Sequence, residues 1–256
     1  MEMLHPYGMF IILPAIFLAG LIDSMAGGGG LISIPAYLAA GLPPHFALGN
    51  NKFSSANGTI FSTIRFFRNN LIDTKVALFS AVFALIGSFF GTKTVLYLSP
   101  NFLNILLIIA LPVIAFIIIF NKKLGQVNNS SSVSMKKKLI TAVIAGLAIG
   151  FYDGFFGPGT GSFLILIYTS VLHYDFVVAN ANAKVVNLAS NLAAVATFIA
   201  SGKVNYEIAI PAAICGILGN LTGSQLVIKK GNAFIKPVFV FVLMLLLVKV
   251  IWDQIA

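Results

Sequence analysis

Residues 23–30 read DSMAGGGG and residues 153–160 read DGFFGPGT, so an aspartate precedes a glycine-rich stretch at two places 130 residues apart. Later positions repeat at an offset of 132, namely Asn50 with Asn182, Lys52 with Lys184, Ser55 with Asn187, Gly87 with Gly219 and Gly91 with Gly223. Chance rarely aligns so many polar and glycine positions under one shift with a single two-residue insertion. The sequence therefore predicts an internal duplication.

The composition indicates a polytopic membrane protein. Of the 256 residues, 59% are hydrophobic and only 9% are charged, and the mean hydropathy is +0.98. Soluble domains carry about 25% charged residues, whereas a bilayer solvates apolar side chains without charge. These numbers exclude soluble enzymes, nucleic-acid binders and secreted disulfide scaffolds. Cys215 is the single cysteine, so the chain alone forms no disulfide or thiolate metal site, and we expect no cofactor or metal.

Long apolar runs divide the chain into two halves. A polar stretch with five lysines, residues 121–138, lies between them and is typical of an aqueous linker. We therefore predict a first transmembrane repeat at residues 1–120, the linker at 121–138 and a second repeat at 139–256. The runs span residues 9–25, 31–40, 46–67, 76–98 and 102–120 in the first half, and 139–156, 162–172, 177–200, 208–228 and 233–252 in the second.

The predicted fold is all-α, with two pseudo-symmetric repeats, each a glycine-broken helical hairpin followed by three transmembrane helices. If the hairpin doubles back, each half crosses the membrane an odd number of times and the repeats are inverted. With the linker in the cytoplasm, that topology places 11 lysines and arginines inside and 3 outside. A hairpin that crosses only once gives 10 against 4. Because cytoplasmic loops are enriched in positive charge, the count favours inversion.

The two glycine-rich stretches would interrupt any transmembrane helix. Irregular backbone at membrane depth is tolerated where it is buried in protein or lines a polar cavity, and transporters aim the ends of such broken helices at their substrates. Glycines that only permit a tight turn or close packing are the alternative. For the small-residue pairs Gly87 with Gly91 and Gly219 with Gly223, we favour helix packing.

Two lysines occupy the same place in the two repeats. A lysine at the centre of a membrane helix costs about 2.5–3.5 kcal/mol, so Lys52 and Lys184 need a partner or a function. Snorkelling to the membrane surface is the alternative interpretation. At helical spacing each lysine heads a polar stripe, formed by Lys52, Ser55 and Thr59 in one half and by Lys184, Asn187 and Asn191 in the other.

Asp23 and Asp153 supply the opposite charge. One interpretation pairs each aspartate with the lysine of its own repeat. A second gives an aspartate a coupling proton while the lysines receive an anion. A structural ion pair or a helix cap is a third.

Two long motifs in these regions resemble a known family. They are AGLIDSMAGGGGLISIPAYLAAGLPPHFALGNNK at residues 19–52 and GFYDGFFGPGTGSF at residues 150–163. Residues 182–187, NAKVVN, continue the similarity. The chain resembles the TauE/SafE sulfite exporter family, especially its YfcA-like branch. The resemblance implies a secondary carrier of the bacterial inner membrane for small sulfur-containing anions such as sulfite, sulfoacetate, sulfolactate or thiosulfate, with recognition by backbone amides at the glycine breaks. The Asn-Lys motifs depart from the small hydroxyl residues of many members.

The leading hypothesis is a secondary transporter of small anions, which binds sulfur oxyanions or organosulfonates between the repeats. A coupling proton or cation, the lipid bilayer and a homodimer are its expected partners. A non-transporting scaffold subunit is the alternative, and an intramembrane enzyme is less favoured because HExxH, GxSxG and paired catalytic carboxylates are missing. The candidate substrate-binding residues are Asp23, Gly28, Gly29, Asn51, Lys52, Ser55, Asp153, Gly159, Thr160, Asn182, Lys184, Asn187, Ser190 and Asn191.

Overall fold

The computed structural model describes residues 7–99 and 127–255, with side chains described as far as residue 231. Within these ranges the chain is helical and contains no strand. The fifth apolar run, residues 102–120, lies outside the described residues. The helices are α1 (Gly8–Ala26), α2 (Gly30–Ala39), α3 (Pro44–Arg68), α4 (Thr74–Tyr97), α5 (Met135–Phe155), α6 (Thr160–Val171), α7 (Phe176–Ala200) and α8 (Tyr206–Ile255).

Side-chain caps and glycines determine where these helices begin and end. Asp73, Ser134 and Asp175 each accept a hydrogen bond from the backbone N–H three residues later, at the starts of α4, α5 and α7. Helix α1 stops at Gly27, whose φ of 68° is left-handed and therefore favours glycine. Helix α8 changes direction at Gly231, where φ is 63° and ψ is −161°.

Among the described residues, five helices are long and apolar enough to cross a membrane. They are α1, α4, α5, α7 and the part of α8 that ends at Gly231. Large apolar side chains such as Phe10, Leu78 and Ile144 are exposed on the outside of the bundle, which suits contact with lipid. The protein is therefore a multi-pass membrane protein. Helix α3 matches α7 in length but is more polar, because it carries Arg65 and Arg68 in its last turn in addition to a buried lysine and asparagines like those of α7.

The end of the predicted linker at 121–138 is helical. Helix α5 begins at Met135, so the last four residues of that range are helical. The reason is the Ser134 cap, which accepts from the Lys137 N–H and lets the lysines form the first helical turn. Lys138 is buried and lies 3.6 Å from the carboxylate of Asp73.

The tightest helix contacts join the two halves. Helix α1 packs along α8, and α4 packs along α5. A Cβ added at Gly87 of α4 would lie 2.3 Å from the carbonyl oxygen of Leu147, and one at Gly219 of α8 would lie 2.1 Å from that of Phe17. The packing role predicted for these glycines is confirmed.

Equivalent helices of the two halves point in opposite directions. The Thr63 hydroxyl donates to the Lys184 carbonyl at 3.4 Å, while a Cβ at Gly49 would touch the carbonyl oxygen of Lys203. Residue numbers thus rise along α3 as they fall along α7, so the two helices are antiparallel. Helix α3 and helix α8 run parallel, because the Arg65 guanidinium near the end of α3 donates to the Leu221 carbonyl.

Both hairpins fold back on themselves. Ile12 near the start of α1 packs in one cluster with Tyr37 and Leu42 at the end of α2. In the second half, the Ser80 hydroxyl contacts both the Ala142 carbonyl near the start of α5 (2.8 Å) and the Tyr168 hydroxyl in α6 (2.7 Å). Each short helix therefore returns beside the long helix that precedes it, and its N-terminus stays at the glycine break.

Candidate functional site

The two glycine breaks touch each other in the middle of the bundle. The Ser162 N–H donates to the Gly27 carbonyl at 2.9 Å, and the Ser162 hydroxyl donates to the Ala26 carbonyl at 2.9 Å. A Cβ added at Gly27 would lie 2.4 Å from the Cα of Gly161. Glycine is required here because two backbones cross at contact distance. Backbone groups freed by one break are thus partly satisfied by the other.

The two lysines pair with aspartates of the opposite half. Lys52 Nζ lies 2.8 Å from Asp153 Oδ1, and Lys184 Nζ lies 2.7 Å from Asp23 Oδ2. An ion pair inside each repeat, one of the interpretations drawn from the sequence, is therefore wrong. The crossing of the breaks is the physical reason, because it turns each aspartate towards the helix of the other half.

Both lysines are deep in the protein. Each lies eight residues into its helix, which is about 12 Å at 1.5 Å per residue. Lys52 is 2% exposed and Lys184 is 0% exposed. Snorkelling to the surface does not describe them. Their cost in the membrane is offset by the aspartates, and each pair ties the two halves together.

The two aspartates have unequal surroundings. Asp153 Oδ1 accepts from Lys52 and from the Thr160 hydroxyl at 2.8 Å, and its Oδ2 accepts from the Ser190 hydroxyl at 2.5 Å. Asp23 Oδ2 accepts from Lys184, but its Oδ1 has only the Gly29 N–H at 3.4 Å among the described residues. The Asp153 side chain is 5% exposed and that of Asp23 is 21% exposed.

Two replacements between the repeats explain this inequality. Where the second half has Thr160 and Ser190, the first half has Gly30 and Gly58 at the equivalent positions. Both hydroxyl donors are thereby lost around Asp23. Asn220 occupies the space beside Gly58, because a Cβ added there would lie 2.4 Å from its amide nitrogen.

A central cavity of about 20 Å³ lies where the breaks and the polar stripes meet. It brings together most of the residues that the sequence singled out. The residues that line this central cavity are Asp23, Gly28, Gly29, Gly30, Asn51, Lys52, Ser55, Asp153, Gly157, Gly159, Thr160, Gly161, Asn187 and Asn191.

Three of the predicted site residues do not line the central cavity. Lys184 and Ser190 reach it indirectly, through their bonds to the two aspartates. Asn182 lies elsewhere, because its amide nitrogen donates to the Val178 carbonyl and its oxygen accepts from the Asp73 N–H. Asn182 therefore joins the start of α4 to α7 and does not belong to the site.

The sequence reasoning also missed residues that line the cavity. Gly30, Gly157 and Gly161 contribute backbone, and their places in the glycine-rich stretches could have identified them. At Gly157, where φ is 100°, an added Cβ would lie 2.9 Å from Lys52 Nζ. A side chain at this position would collide with the ammonium group.

The electrostatics of the central cavity combine donors with balanced charge. Helices α2 and α6 begin at Gly30 and Thr160, so their N-terminal ends, where N–H groups lack intrahelical partners, lie at the cavity. The two cross-half ion pairs, Lys52 with Asp153 and Lys184 with Asp23, balance two basic side chains with two acidic ones. A small anion could bind to the helix ends and a lysine once that lysine separates from its aspartate.

A second cavity was not foreseen from the sequence. Its volume is about 10 Å³, and it shares Asp23, Gly29 and Ser55 with the central cavity. Asn220 of α8 lines it. The only signal in the sequence was a polar residue between Gly219 and Gly223, in a run that was interpreted as packing.

The fold is that of a multi-pass membrane protein, and the family and the relatives that it matches are membrane transporters. Residues 12–250 match the family described as sulfite exporter TauE/SafE, and the chain belongs to this family. It is 35% identical over 252 residues to the probable membrane transporter protein YfcA of Escherichia coli K12, covering 98% of this chain and 93% of that protein. A probable membrane transporter protein of Haemophilus influenzae is 34% identical over 238 residues, and the match covers 93% of this chain and 92% of that protein. No solved structure matches the chain significantly.

Proposed function

We propose that this protein is a secondary transporter that carries a small anion through the central cavity, and that the anion is a sulfur oxyanion or an organosulfonate such as sulfite or sulfoacetate. The observation that carries the proposal is a cavity between the halves that is lined by the buried Lys52 and two helix N-termini, with the buried Lys184 bonded to its lining residue Asp23. Such helix ends attract anions. The family description, sulfite exporter, supports a sulfur anion.

Binding must change the structure of the site. A cavity of about 20 Å³ holds about one water molecule, and sulfite has four heavy atoms. The anion must also replace an aspartate at a lysine, because each ammonium group already has a carboxylate within 3 Å. Lys184 is the better candidate, since its partner Asp23 has fewer other hydrogen bonds. Anion entry would therefore separate one cross-half ion pair and move the breaks apart.

The helix directions support alternating access between inverted repeats. Helices α3 and α7 are antiparallel, as inversion requires, and both hairpins return to the side on which they began. One end of the bundle carries most of the described positive charge, which supports a cytoplasmic linker and a bacterial inner-membrane location. The cations at that end are Arg65, Arg68, Lys75, Lys136, Lys137, Lys138, Lys229 and Lys230, against Lys93 and Lys203 at the other end.

A thermal-shift measurement in detergent and sodium-containing buffer tests the anion site. Sulfite, sulfoacetate, sulfate and acetate are compared on the wild type, Lys184→Gln and the control Lys203→Gln, whose lysine lies between α7 and α8. A ligand at 100 times its Kd stabilises the folded state by about 2.7 kcal/mol. We expect a sulfur anion to stabilise the wild type and Lys203→Gln but not Lys184→Gln. Equal stabilisation of all three proteins would contradict the proposed site.

Uptake by proteoliposomes separates a transporter from a scaffold subunit. The expected result is saturable uptake of the stabilising anion, reduced at least tenfold in Lys184→Gln. Labelling provides a second measurement, because Ser55→Cys in a Cys215→Ser background should react with a water-soluble maleimide and be protected by the anion. A thiol at position 55 that does not react, together with no uptake, would favour the scaffold.

A further inference from the structure

The second cavity lies beside the more weakly bonded aspartate, between α1, α3 and α8. Its polar lining consists of Asp23, Ser33, Ser54, Ser55 and Asn220. No cation is among the residues that line it. The central cavity, in contrast, is lined by Lys52 and by the N-terminal ends of two helices. The two neighbouring cavities therefore present opposite chemistry on either side of Asp23.

The serine hydroxyls of the second cavity already donate to acceptors at Gly29 and Asn51. Ser33 donates to the Gly29 carbonyl at 3.0 Å or to Asn51 Oδ1 at 2.5 Å. Ser54 donates to the Asn51 carbonyl at 3.1 Å, and Ser55 donates to Asn51 Oδ1 at 3.5 Å. The Ser54 oxygen also accepts from the Tyr37 hydroxyl at 3.4 Å, so each serine oxygen keeps at least one lone pair for a further partner.

Asn220 adds an acceptor whose orientation is determined by its own helix. Its amide nitrogen donates to the Gly216 carbonyl at 3.0 Å, so its Oδ1 must point away from that carbonyl. Asn220 is 2% exposed, and among the described residues its Oδ1 has no hydrogen-bond partner. A buried acceptor without a partner is costly, which indicates that something else occupies its lone pairs.

We propose that the second cavity binds a monovalent cation of the size of Na⁺, coordinated by Asp23 Oδ1, Asn220 Oδ1 and the serine hydroxyl oxygens. Oxygen ligands suit hard cations. A single carboxylate among neutral oxygens favours a monovalent ion over Ca²⁺, whose sites use several carboxylates. The volume of about 10 Å³ is close to that of one water-sized probe and suits a small ion without its hydration shell.

The equivalent region of the second half does not offer these ligands. Ser33, Ser54 and Asn220 correspond to Phe163, Val186 and Ser88. The Ser88 hydroxyl donates to the Ser190 carbonyl at 2.6 Å, and Asp153 already accepts two hydroxyl groups and a lysine. The cation site therefore lies beside Asp23, with Asn220 of the second half as one of its ligands, and has no counterpart beside Asp153.

The position of the site gives the cation a role in the proposed anion transport, and this step rests on that proposal. Lys184 Nζ lies 2.7 Å from Asp23, so a cation on the same carboxylate repels the ammonium group. Lys52 and Asp153 face the central cavity on its other side. Cation binding would release Lys184 from Asp23 and present it to the anion. The two ions would then enter together, with favourable coupling.

The test measures thermal stability of the purified full-length protein without any anion substrate, titrating NaCl against choline chloride at constant ionic strength. We expect a saturable Na⁺-dependent rise in Tm in the wild type. In Asn220→Ala the half-saturating Na⁺ concentration should rise at least tenfold, and Ser54→Ala should also weaken the response. Ser88→Ala, at the position equivalent to Asn220, is the matched control and should respond as the wild type does.

Three results would overturn the cation site. The first is equal stability in Na⁺ and choline, and the second is an unchanged Na⁺ response in both Asn220→Ala and Ser54→Ala. The third is stability that depends on pH and not on Na⁺, which would assign a proton to Asp23. A final arm repeats the titration with sulfite. Anion stabilisation that persists in choline would overturn the coupling while leaving the anion site intact. If Na⁺ stabilises the wild type but sulfite does not, the anion site is contradicted and the cation site is not.

Discussion

The two cross-half ion pairs occupy equivalent places but differ in how completely their carboxylates are bonded. Asp153 has a lysine and two hydroxyl groups, and little of its side chain is exposed. Asp23 has a lysine and one long contact from a backbone N–H, and it borders two cavities. A carboxylate that already has strong partners resists exchange, whereas one with few partners can take another.

The difference shows how a duplicated scaffold can separate two tasks. The Lys52–Asp153 pair joins the halves through a carboxylate with further hydroxyl donors, while the Lys184–Asp23 pair is the one that the proposed anion would open. The change needed was small, since glycines at positions 30 and 58 replace the equivalents of Thr160 and Ser190. Without those two hydroxyl groups, Asp23 has fewer hydrogen-bond donors than Asp153.

The largest expected effect comes from breaking each pair in turn. Lys52→Ala leaves Asp153 buried without its cation and should cost about 3–5 kcal/mol of unfolding free energy. Lys184→Ala leaves Asp23 without its cation, but Asp23 is more exposed than Asp153. This variant should therefore lose clearly less unfolding free energy than Lys52→Ala. Denaturant unfolding in detergent micelles measures both, with Lys203→Ala as a control near wild-type stability. Equal costs for the two lysines would show that the pairs are alike, against the comparison drawn above.

A smaller effect is expected when the first half is given a hydroxyl of the second. Gly58→Ser alone forces a Cβ to within 2.4 Å of the Asn220 amide nitrogen and should cost about 1–3 kcal/mol through overpacking. The double variant Gly58→Ser, Asn220→Ser copies the Ser190 and Ser88 pair. It should recover most of the lost stability, as followed by Tm.

The same double variant should lose the Na⁺ response, because the carboxylate gains a hydroxyl donor and the cavity loses its amide oxygen. Wild-type Na⁺ dependence in the double variant would contradict the assignment of the site to these positions. Gly58→Ala is the control for added bulk without a hydroxyl group. It should be less stable than the wild type, and Na⁺ should not restore the lost stability.

The smallest expected effect lies at the charged end of the bundle. The Tyr174 hydroxyl donates to Asp73 Oδ2 at 2.7 Å, so Tyr174→Phe should cost about 0.5–1.5 kcal/mol. Burial first, then the bond to Asp73 and its charge, raises the pKa of Tyr174. The contribution is therefore fully present below about pH 10, the ordinary tyrosine value, and declines above it as the unfolded state ionises.

Tyr206→Phe is the matched control for this measurement. Tyr206 is half exposed at the start of α8, and its ring packs edge-on against Phe53. It should unfold as the wild type does between pH 6 and pH 9. A Tyr174→Phe protein as stable as wild type across that range would show that the bond to Asp73 contributes nothing.

Local patterns in the sequence were sufficient to predict the elements of the fold. Apolar run lengths located α1 to α8 within a few residues, and the breaks followed from glycines that no membrane helix tolerates in series. The site residues followed from duplicated polar positions such as Lys52 and Lys184, which only a polar interior explains. These features depend on residues close in sequence, so their pattern could be recognised without coordinates.

The missed features depend on contacts between distant segments. The pairing of Asp23 with Lys184 follows from the crossing of the two breaks, which no spacing rule encodes. Asn220 lies between glycines that pack helices together, so the sequence indicated packing for it as well. Its amide contacts α1 and α3 only when the two halves are assembled. Asn182 was included among the site residues because it matches Asn50 in the other repeat. In the structure its side chain instead bonds to the start of α4.

Because each ion pair joins the two halves, its two residues are synthesised at different times. Asp23 and Lys184 are 161 residues apart. At about 5–20 residues per second, a ribosome needs roughly 8–30 s to supply the lysine after the aspartate has emerged. During that interval the first hairpin holds a carboxylate without its counterion beside a broken helix. The first hairpin therefore gains this ion pair only after the second half of the chain has been made.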